Sequence, residues 1–307
     1  MKVVILLILC IAIGGTIFAA SKFKTSNHAS KKPAKHTRIP SFVPRQANLG
    51  SLEDPGYELV SEFKRSDLVY TEGLSYKDGL LVESTGKNGE SKVQYLRLNE
   101  DTKTADIAKQ FNLPGQYFGE GHSIVNINGE DKVVMMTYTS KVGLQLDTDL
   151  TRIEKTFNMP SGISEGWGMA AIPEKPSTVY ISDGTSYVYE CDASNNLRII
   201  KSYNFKDITD FMDLYQINEL EYVKGKLYAN VFLQDYIALL DFDSQKAVKT
   251  YYMTDLIQKA NIELKKMHNR YLAYDEVLNG IAYNPDTDTF YVTGKNWPLI
   301  FEIRLNQ

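Results

Sequence analysis

The stretch Gln116–Ile124, QYFGEGHSI, sets Glu120 between two glycines just ahead of an apolar, strand-like run. The placement recurs in YTEGLSY (Glu72), SEGWGMA (Glu165 and Trp167), INELEYV (Asn218 and Glu219) and VLNGIAY (Asn279), each setting an acidic or amide residue where an alternating segment begins. A carboxyl can take and return protons, and an amide can hold a developing charge by hydrogen bond, so several of these converging on one spot would offer acid–base chemistry. Glycines around Glu120 would let the backbone turn sharply and approach a ligand closely. Taken alone, Glu120 reads more readily as a strand-capping or solvated carboxylate, and Asn218 as the closer of a turn. Other chemistries fit poorly. Beyond the first 50 residues the only histidines are His122 and His268, far apart and without ligand spacing. No catalytic metal is therefore expected, although a structural calcium held by backbone carbonyls is compatible with the sequence. The ESTGKNGES segment has glycines but opens no helix that would cradle a phosphate.

The elements that must position these residues are strands. Gly73, Gly121, Gly168, Leu220 and Gly280 mark a repeat of roughly 45 to 60 residues, the range of propeller blades. Each repeat runs through a short apolar segment, a polar turn, a second strand such as LLVEST or TFYVTG, another loop, and a third strand such as VGLQLD or LIFEIRL. Fourth strands are visible as IEKTF, LRIIKSYNF and AVKTYYM. One helix is expected over about Thr254–His268, capped by Thr254-Asp255, with Leu256, Ala260, Ile262 and Leu264 on its apolar face. The predicted architecture is all-β: a five-bladed β-propeller with a helical insertion between blades four and five. In that topology the first strand of every blade lines the channel, so Glu72, Glu120, Glu165, Trp167, Asn218 and Asn279 gather at one end. Glu165, Glu219 and Asn279 are expected to tie neighbouring blades by hydrogen bonds.

Composition sets the remaining bounds. The 307 residues are 43% hydrophobic and 23% charged, a globular balance. The first 50 residues carry eight Lys or Arg and no acid, which leaves 26 basic against 38 acidic residues in the body and argues against nucleic acid as a partner. Val3–Ala20 is an unbroken apolar or small-residue run, read as residues 1–20 of a secretory signal, with an uncleaved membrane anchor as the alternative. Residues 21–52 read as a flexible basic linker and 53–307 as the catalytic domain. This places the protein in the secretory pathway, lumenal or secreted, or tethered to a membrane through residues 3–20. Cys10 lies in the leader, so Cys191 has no partner within the body and reads as a buried thiol.

The set EGLSYKDGLLVESTGKNGES, YFGEG, EGWGM, SDGTS, NELEYVKGKLYANV and LNGIAYNP…YVTGKNWPLIFEI resembles the plant and bacterial glutaminyl-peptide cyclotransferases, in order, from about Tyr57 to Leu305. The resemblance implies a five-bladed propeller that converts N-terminal glutamine of peptides or proteins to pyroglutamate and releases ammonia. It further implies Glu120 as general acid/base, Asn218 as its amide partner, Lys295 of TGK as a charged donor, and Trp167 and Phe118 as aromatic wall. The first strand start departs from the family's frequent Phe-Thr-Gln-Gly-Leu: here it is Tyr70-Thr71-Glu72-Gly73-Leu74. Glu72 is expected to shift the pKa of Glu120 or to bind the substrate amine, with Tyr70 beside it. Tyr138 and Phe232 stand where tryptophan is frequent and keep the wall aromatic. Two other functions are compatible with such a propeller: binding of peptide ends without turnover, and a hydrolase of the lactonase kind, which would want a metal cage of Glu, Asn and Asp.

Overall fold

The computed structural model describes residues 55–163 and 165–306. The expectations for the leader, the linker and Cys10 lie outside those residues. Within them the chain is mostly β. It opens with β1 (Tyr57–Lys64) and continues as antiparallel meanders: β2 (Thr71–Lys77), β3 (Leu80–Thr85), β4 (Lys92–Asn99) and β5 (Thr104–Asn112); then β6 (Gly119–Ile127), β7 (Glu130–Thr137), β8 (Val142–Asp147) and β9 (Ile153–Asn158). The third meander is β10 (Met169–Ala171), β11 (Thr178–Ser182), β12 (Tyr187–Asp192) and β13 (Arg198–Asn204). The fourth is β14 (Ile217–Val223), β15 (Lys226–Val231), β16 (Tyr236–Asp241) and β17 (Lys246–Tyr252). Helix α1 (Thr254–His268) follows, before β18 (Leu278–Asn284), β19 (Thr289–Gly294) and β20 (Leu299–Leu305).

The last meander takes its fourth strand from β1, ahead of all the other strands. β1 pairs antiparallel with β20 from Tyr57–Leu305 to Lys64–Leu299. A single parallel bridge, Lys64 to Thr104, then joins β1 to β5 and merges the last and first meanders into one eight-stranded sheet. The first strands touch in cyclic order: β2 meets β6, β6 meets β10, β10 meets β14, β14 meets β18, and β18 returns to β2.

The core sits between sheets rather than within one layer. Each buried apolar cluster joins neighbouring meanders: Val82 and Val93 pack with Val133 and Leu144, Val134 and Met136 with Val179 and Ile181, Tyr180 and Val188 with Leu220 and Leu240. Ile237 and Leu239 pack with Ile281 and Phe301, and Leu81 and Leu96 with Tyr291 and Ile300. Strands covered on both faces need no polar side, which is why LLV, VVMM and FYV run continuously apolar. The outer strands β5, β9 and β13 instead carry the exposed positions.

α1 spans the expected residues but differs in detail. Its N-cap is Met253 with no side-chain cap, and Leu256, Ala260 and Leu264 are buried. Asp255 lies inside the first turn rather than at the cap, and its carboxylate takes a hydrogen bond from Tyr57. Ile262 is 68% exposed, on the far side from the buried stripe.

The glycine markers have a different cause from the one their sequence suggests. Neither Gly119 nor Gly121 adopts positive φ. A Cβ on Gly119 would lie 2.7 Å from the Thr85 carbonyl oxygen, one on Gly121 2.4 Å from that of Trp167, and one on Gly168 2.1 Å from that of Asn218. Gly121 and Gly168 mark where the start of one inner strand meets the next, Gly119 packs against the end of β3, and Gly121 N donates to Trp167 O at 2.7 Å. Gly121→Ala should therefore destabilise the fold by about 1–3 kcal/mol or more, since backbone cannot yield as a side chain does. A urea unfolding midpoint equal to the wild-type value would refute that packing role.

Candidate active site

The recurrent acidic and amide residues sit in register shifts. Pairing slips between Thr71 and Gly73, between Gly119 and His122, between Ile217 and Leu220, and between Leu278 and Ile281. Glu72, Glu120, Asn218 and Asn279 each fall inside one of these irregularities. A bulge takes a side chain out of the in–out alternation and re-aims it, which explains why a polar residue can open an otherwise apolar inner strand.

Glu72 and Glu120 meet. Both are buried, at 1% and 5% exposure. The Lys295 ammonium, after β19, lies 2.9 Å from Glu72 Oε1 and 2.7 Å from Oε2. Glu72 and Glu120 hydrogen-bond each other, and the Asn279 amide reaches Glu72 Oε2 at 3.5 Å. Burial raises both carboxyls above their ordinary range; Lys295 offsets much of the rise on Glu72, whereas the charge of Glu72 adds to that on Glu120. Burial and the Glu72 charge thus favour the protonated form more strongly at Glu120 than at Glu72, although Lys295 lowers both.

Aromatic side chains close a ring around this cluster. The Lys295 ammonium is 4.7 Å from the Tyr70 ring centre and 5.4 Å from that of Phe232. Tyr70 meets Phe118 edge-on at 6.3 Å, and Phe118 meets Tyr138 at 5.7 Å. Tyr138 lies beside Glu165, which accepts from Trp167 Nε1 at 3.0 Å. Trp167 completes the circuit edge-on to Phe232 at 5.8 Å. Gly86 and Gly184 make room for it, since a Cβ would fall 2.3 Å from Phe118 and 2.5 Å from Trp167 respectively.

The structure thus brings Tyr70, Glu72, Phe118, Glu120, Tyr138, Trp167, Phe232 and Lys295 together. Asn218 stands at the matching point of β14, and its side chain hydrogen-bonds none of them. Its carbonyl accepts from Ser182 Oγ at 2.6 Å, while its Oδ1 is buried without a partner. Asn279 Oδ1 and Asn230 Nδ2 are buried and unpartnered in the same way. An unpaired buried amide is costly unless something else meets it.

Two contributors were not legible beforehand, and a third, Glu165, was placed at this end but read as a tie between neighbouring blades. Glu165 accepts from Trp167, two residues on in the same connection, and lies beside Tyr138; it belongs to the site, where its charge adds to the rise on Glu120. The recurrence of Glu-Gly in SEGWG was the available signal. Asp275, which accepts from the Tyr70 hydroxyl at 2.9 Å, and Lys87, 4.6 Å above the Tyr70 ring, gave none.

Deeper in the ring the polar groups are structural. Glu219 on β14 accepts from Leu74 N at 3.2 Å and Ile281 N at 2.8 Å, tying three meanders, and Asn279 Nδ2 donates to Thr71 O at 2.9 Å. His122 bridges Ser84 and Ser75, and burial pushes its pKa down to about 4. Among the described residues, no three His, Cys, Asp or Glu side chains group as a metal site. A cavity of about 800 Å³ opens at the other end of the inner strands, among Ser75, Ser123, Glu221 and Tyr283, and none of the predicted site residues lines it.

A sequence profile described as glutamine cyclotransferase matches residues 35–305. The glutaminyl-peptide cyclotransferase of Arabidopsis thaliana is 29% identical over 254 residues, covering 81% of this chain and 71% of that protein. The crystal structure of Myxococcus xanthus glutaminyl cyclase superposes with a TM-score of 0.66 at 23% identity, over 81% of this chain and 96% of the other.

Proposed function

This chain belongs to the glutamine cyclotransferase family, and we propose that it is a glutaminyl-peptide cyclotransferase on a five-bladed β-propeller, converting the N-terminal glutamine of peptides and proteins to pyroglutamate with release of ammonia. The cyclic contacts of the inner strands and the core clusters between successive meanders support the blade count, with α1 inserted between the fourth and fifth. The observation that carries the function is the buried Glu120–Glu72–Lys295 cluster inside a closed aromatic circuit, on a chain of this family.

The chemistry asks little of the protein beyond that. The nucleophile is the substrate's own α-amine and the electrophile its own γ-amide carbon. Holding the side chain folded back replaces a bimolecular encounter, and the aromatic circuit of Tyr70, Phe118, Tyr138, Trp167 and Phe232 suits that compact shape. Glu120, kept protonated by burial, can supply the proton that the departing nitrogen needs. Asn218 and Lys295 can meet the negative charge that develops on the γ-oxygen. No step is assigned to a metal. The leader sequence supports action in the secretory pathway, lumenal or secreted, or at a membrane if residues 3–20 are retained.

The test is ammonia release from a Gln-initiated dipeptide with and without a chelator. Release that the chelator leaves unchanged is the expected result. No release would favour a propeller that binds peptide ends without turnover, and release abolished by the chelator would favour a metal-dependent hydrolase.

A further inference from the structure

Two buried carboxyls, Glu72 and Glu120, meet beside Lys295 in this site, and only one is needed if a single group shuttles the proton. Glu72 is held by Lys295 at 2.7 and 2.9 Å and by the Glu120 hydrogen bond, so it sits in the cluster as an anchored carboxylate rather than as a spectator on the wall. We propose that Glu72 is a second catalytic carboxylate: Glu72 takes the proton of the attacking α-amine, Glu120 gives its own proton to the departing ammonia, and the hydrogen bond between the two resets the pair. The inference rests on the cyclase function and divides its acid–base work.

The atoms balance without a co-reactant. With the α-amine neutral, as a sizeable share is near its ordinary pKa of about 8, its lone pair forms the bond to the γ-amide carbon. The carbonyl π electrons move to the γ-oxygen. The amine N–H proton passes to Glu72, and the Glu120 proton passes to the amide nitrogen. That nitrogen leaves with its bonding pair as ammonia while the γ-oxygen electrons re-form the carbonyl. Glu72 is then neutral and Glu120 ionised, so one proton crossing their hydrogen bond restores the start. As Glu72 is neutralised, the charge of Lys295 loses its counter-ion and is left for the γ-oxygen, at the moment negative charge develops there.

The charged groups around the pair set the direction of its pH dependence. Glu72 faces Lys295, Glu120 and Asp275; Glu120 faces Glu72, Lys295 and Glu165. In the complex, turnover then needs Glu72 ionised and Glu120 protonated, giving kcat an acid limb from Glu72 and an alkaline limb from Glu120. In a one-carboxylate scheme the acid limb would report ionisation of Glu120 instead.

Glu72→Gln separates these. The expected result is a fall in kcat of about 10²-fold or more and loss of the acid limb, while Glu72→Asp keeps that limb and turns over faster than Glu72→Gln. A Glu72→Gln enzyme with kcat close to wild type, or with a slower rate but the wild-type acid limb, would overturn the proposal. Should Glu72→Gln fail to fold, the infrared difference between wild type and Glu120→Gln at neutral pH decides. A protonated-carboxyl band lost in the variant supports the resting state required here, and its absence from the wild type overturns it. Ammonia release by the wild type is the internal control: its failure sinks the cyclase function itself, whereas release by wild type and Glu72→Gln alike sinks only the role of Glu72.

Discussion

Glu120→Gln is expected to lower kcat for ammonia release by about 10³-fold, within the 10²–10⁴ range of a lost general acid–base group, with KM changed far less. Glutamine keeps the size of the side chain and can still donate a hydrogen bond to Glu72, so the aromatic circuit and the Lys295–Glu72 pair should survive. What it cannot do is surrender a proton to the leaving nitrogen. Stability should move the other way. A carboxyl whose folded-state pKa lies above its unfolded value contributes fully below the unfolded pKa, and that contribution is lost as pH rises through the folded one. Glu120 is raised in this sense, chiefly by burial and then by Glu72. Wild type should therefore lose stability relative to Glu120→Gln as pH climbs above the ordinary carboxylate range. Steady-state kinetics with thermal melts across pH read both effects. Near-normal turnover by a folded Glu120→Gln would remove Glu120 from the chemistry.

Much of this was legible because the repeat is local. The strands LLVEST, VGLQLD, TFYVTG and LIFEIRL coincide with β3, β8, β19 and β20, since each is a short apolar run punctuated by Gly, Asp or Asn within one meander. β1 and β5 went unassigned for a physical reason. β1 completes a sheet whose other strands lie more than 200 residues later, and nothing in YELVSEFK announces a distant partner. β5, TADIAKQFN, is largely exposed and lacks a clean apolar face. The glycines around Glu120 were visible but their cause was not: a chain cannot reveal that Trp167 O will lie against Gly121. Likewise the Glu72–Lys295 ion pair joins residues 223 positions apart. Sequence could flag Glu72 as a carboxylate beside the site, but only the closed ring shows which cation holds it.

That closure has its own keystone, and breaking it should have the largest effect on stability. Arg65 directly follows β1, and its guanidinium donates to both Glu83 oxygens on β3 at 2.8 Å. Glu83 also accepts from Thr71 Oγ1 and Gln94 Nε2, each at 2.7 Å. Both members of the pair are essentially sealed from water, with side-chain exposures of 1% and 0%. The latch therefore fastens β1, the outer strand of the last meander, to the first meander, beside a seam whose strand pairing is the single Lys64–Thr104 bridge. Glu83→Gln leaves the buried guanidinium with only the partly exposed Asp67 carboxylate, 3.4 Å away, as counter-charge, and breaking a buried pair costs about 3–5 kcal/mol. For a domain of this size that is a fall in Tm of roughly 6–20 °C. The double replacement Arg65→Met with Glu83→Leu should recover a large part of the loss, because exchanging a buried pair for apolar side chains removes the desolvation cost together with the attraction. The exposed pair Lys103–Glu100 supplies the contrast: Glu100→Gln should change stability by less than about 1 kcal/mol. If Glu83→Gln melted with the wild type, the seam would have to be held by its other contacts, the apolar packing of Phe63, Leu81 and Ile300 with the Glu72–Lys295 and Asn279–Thr71 links. The fourth strand that β1 supplies would then be fastened without the Arg65–Glu83 pair.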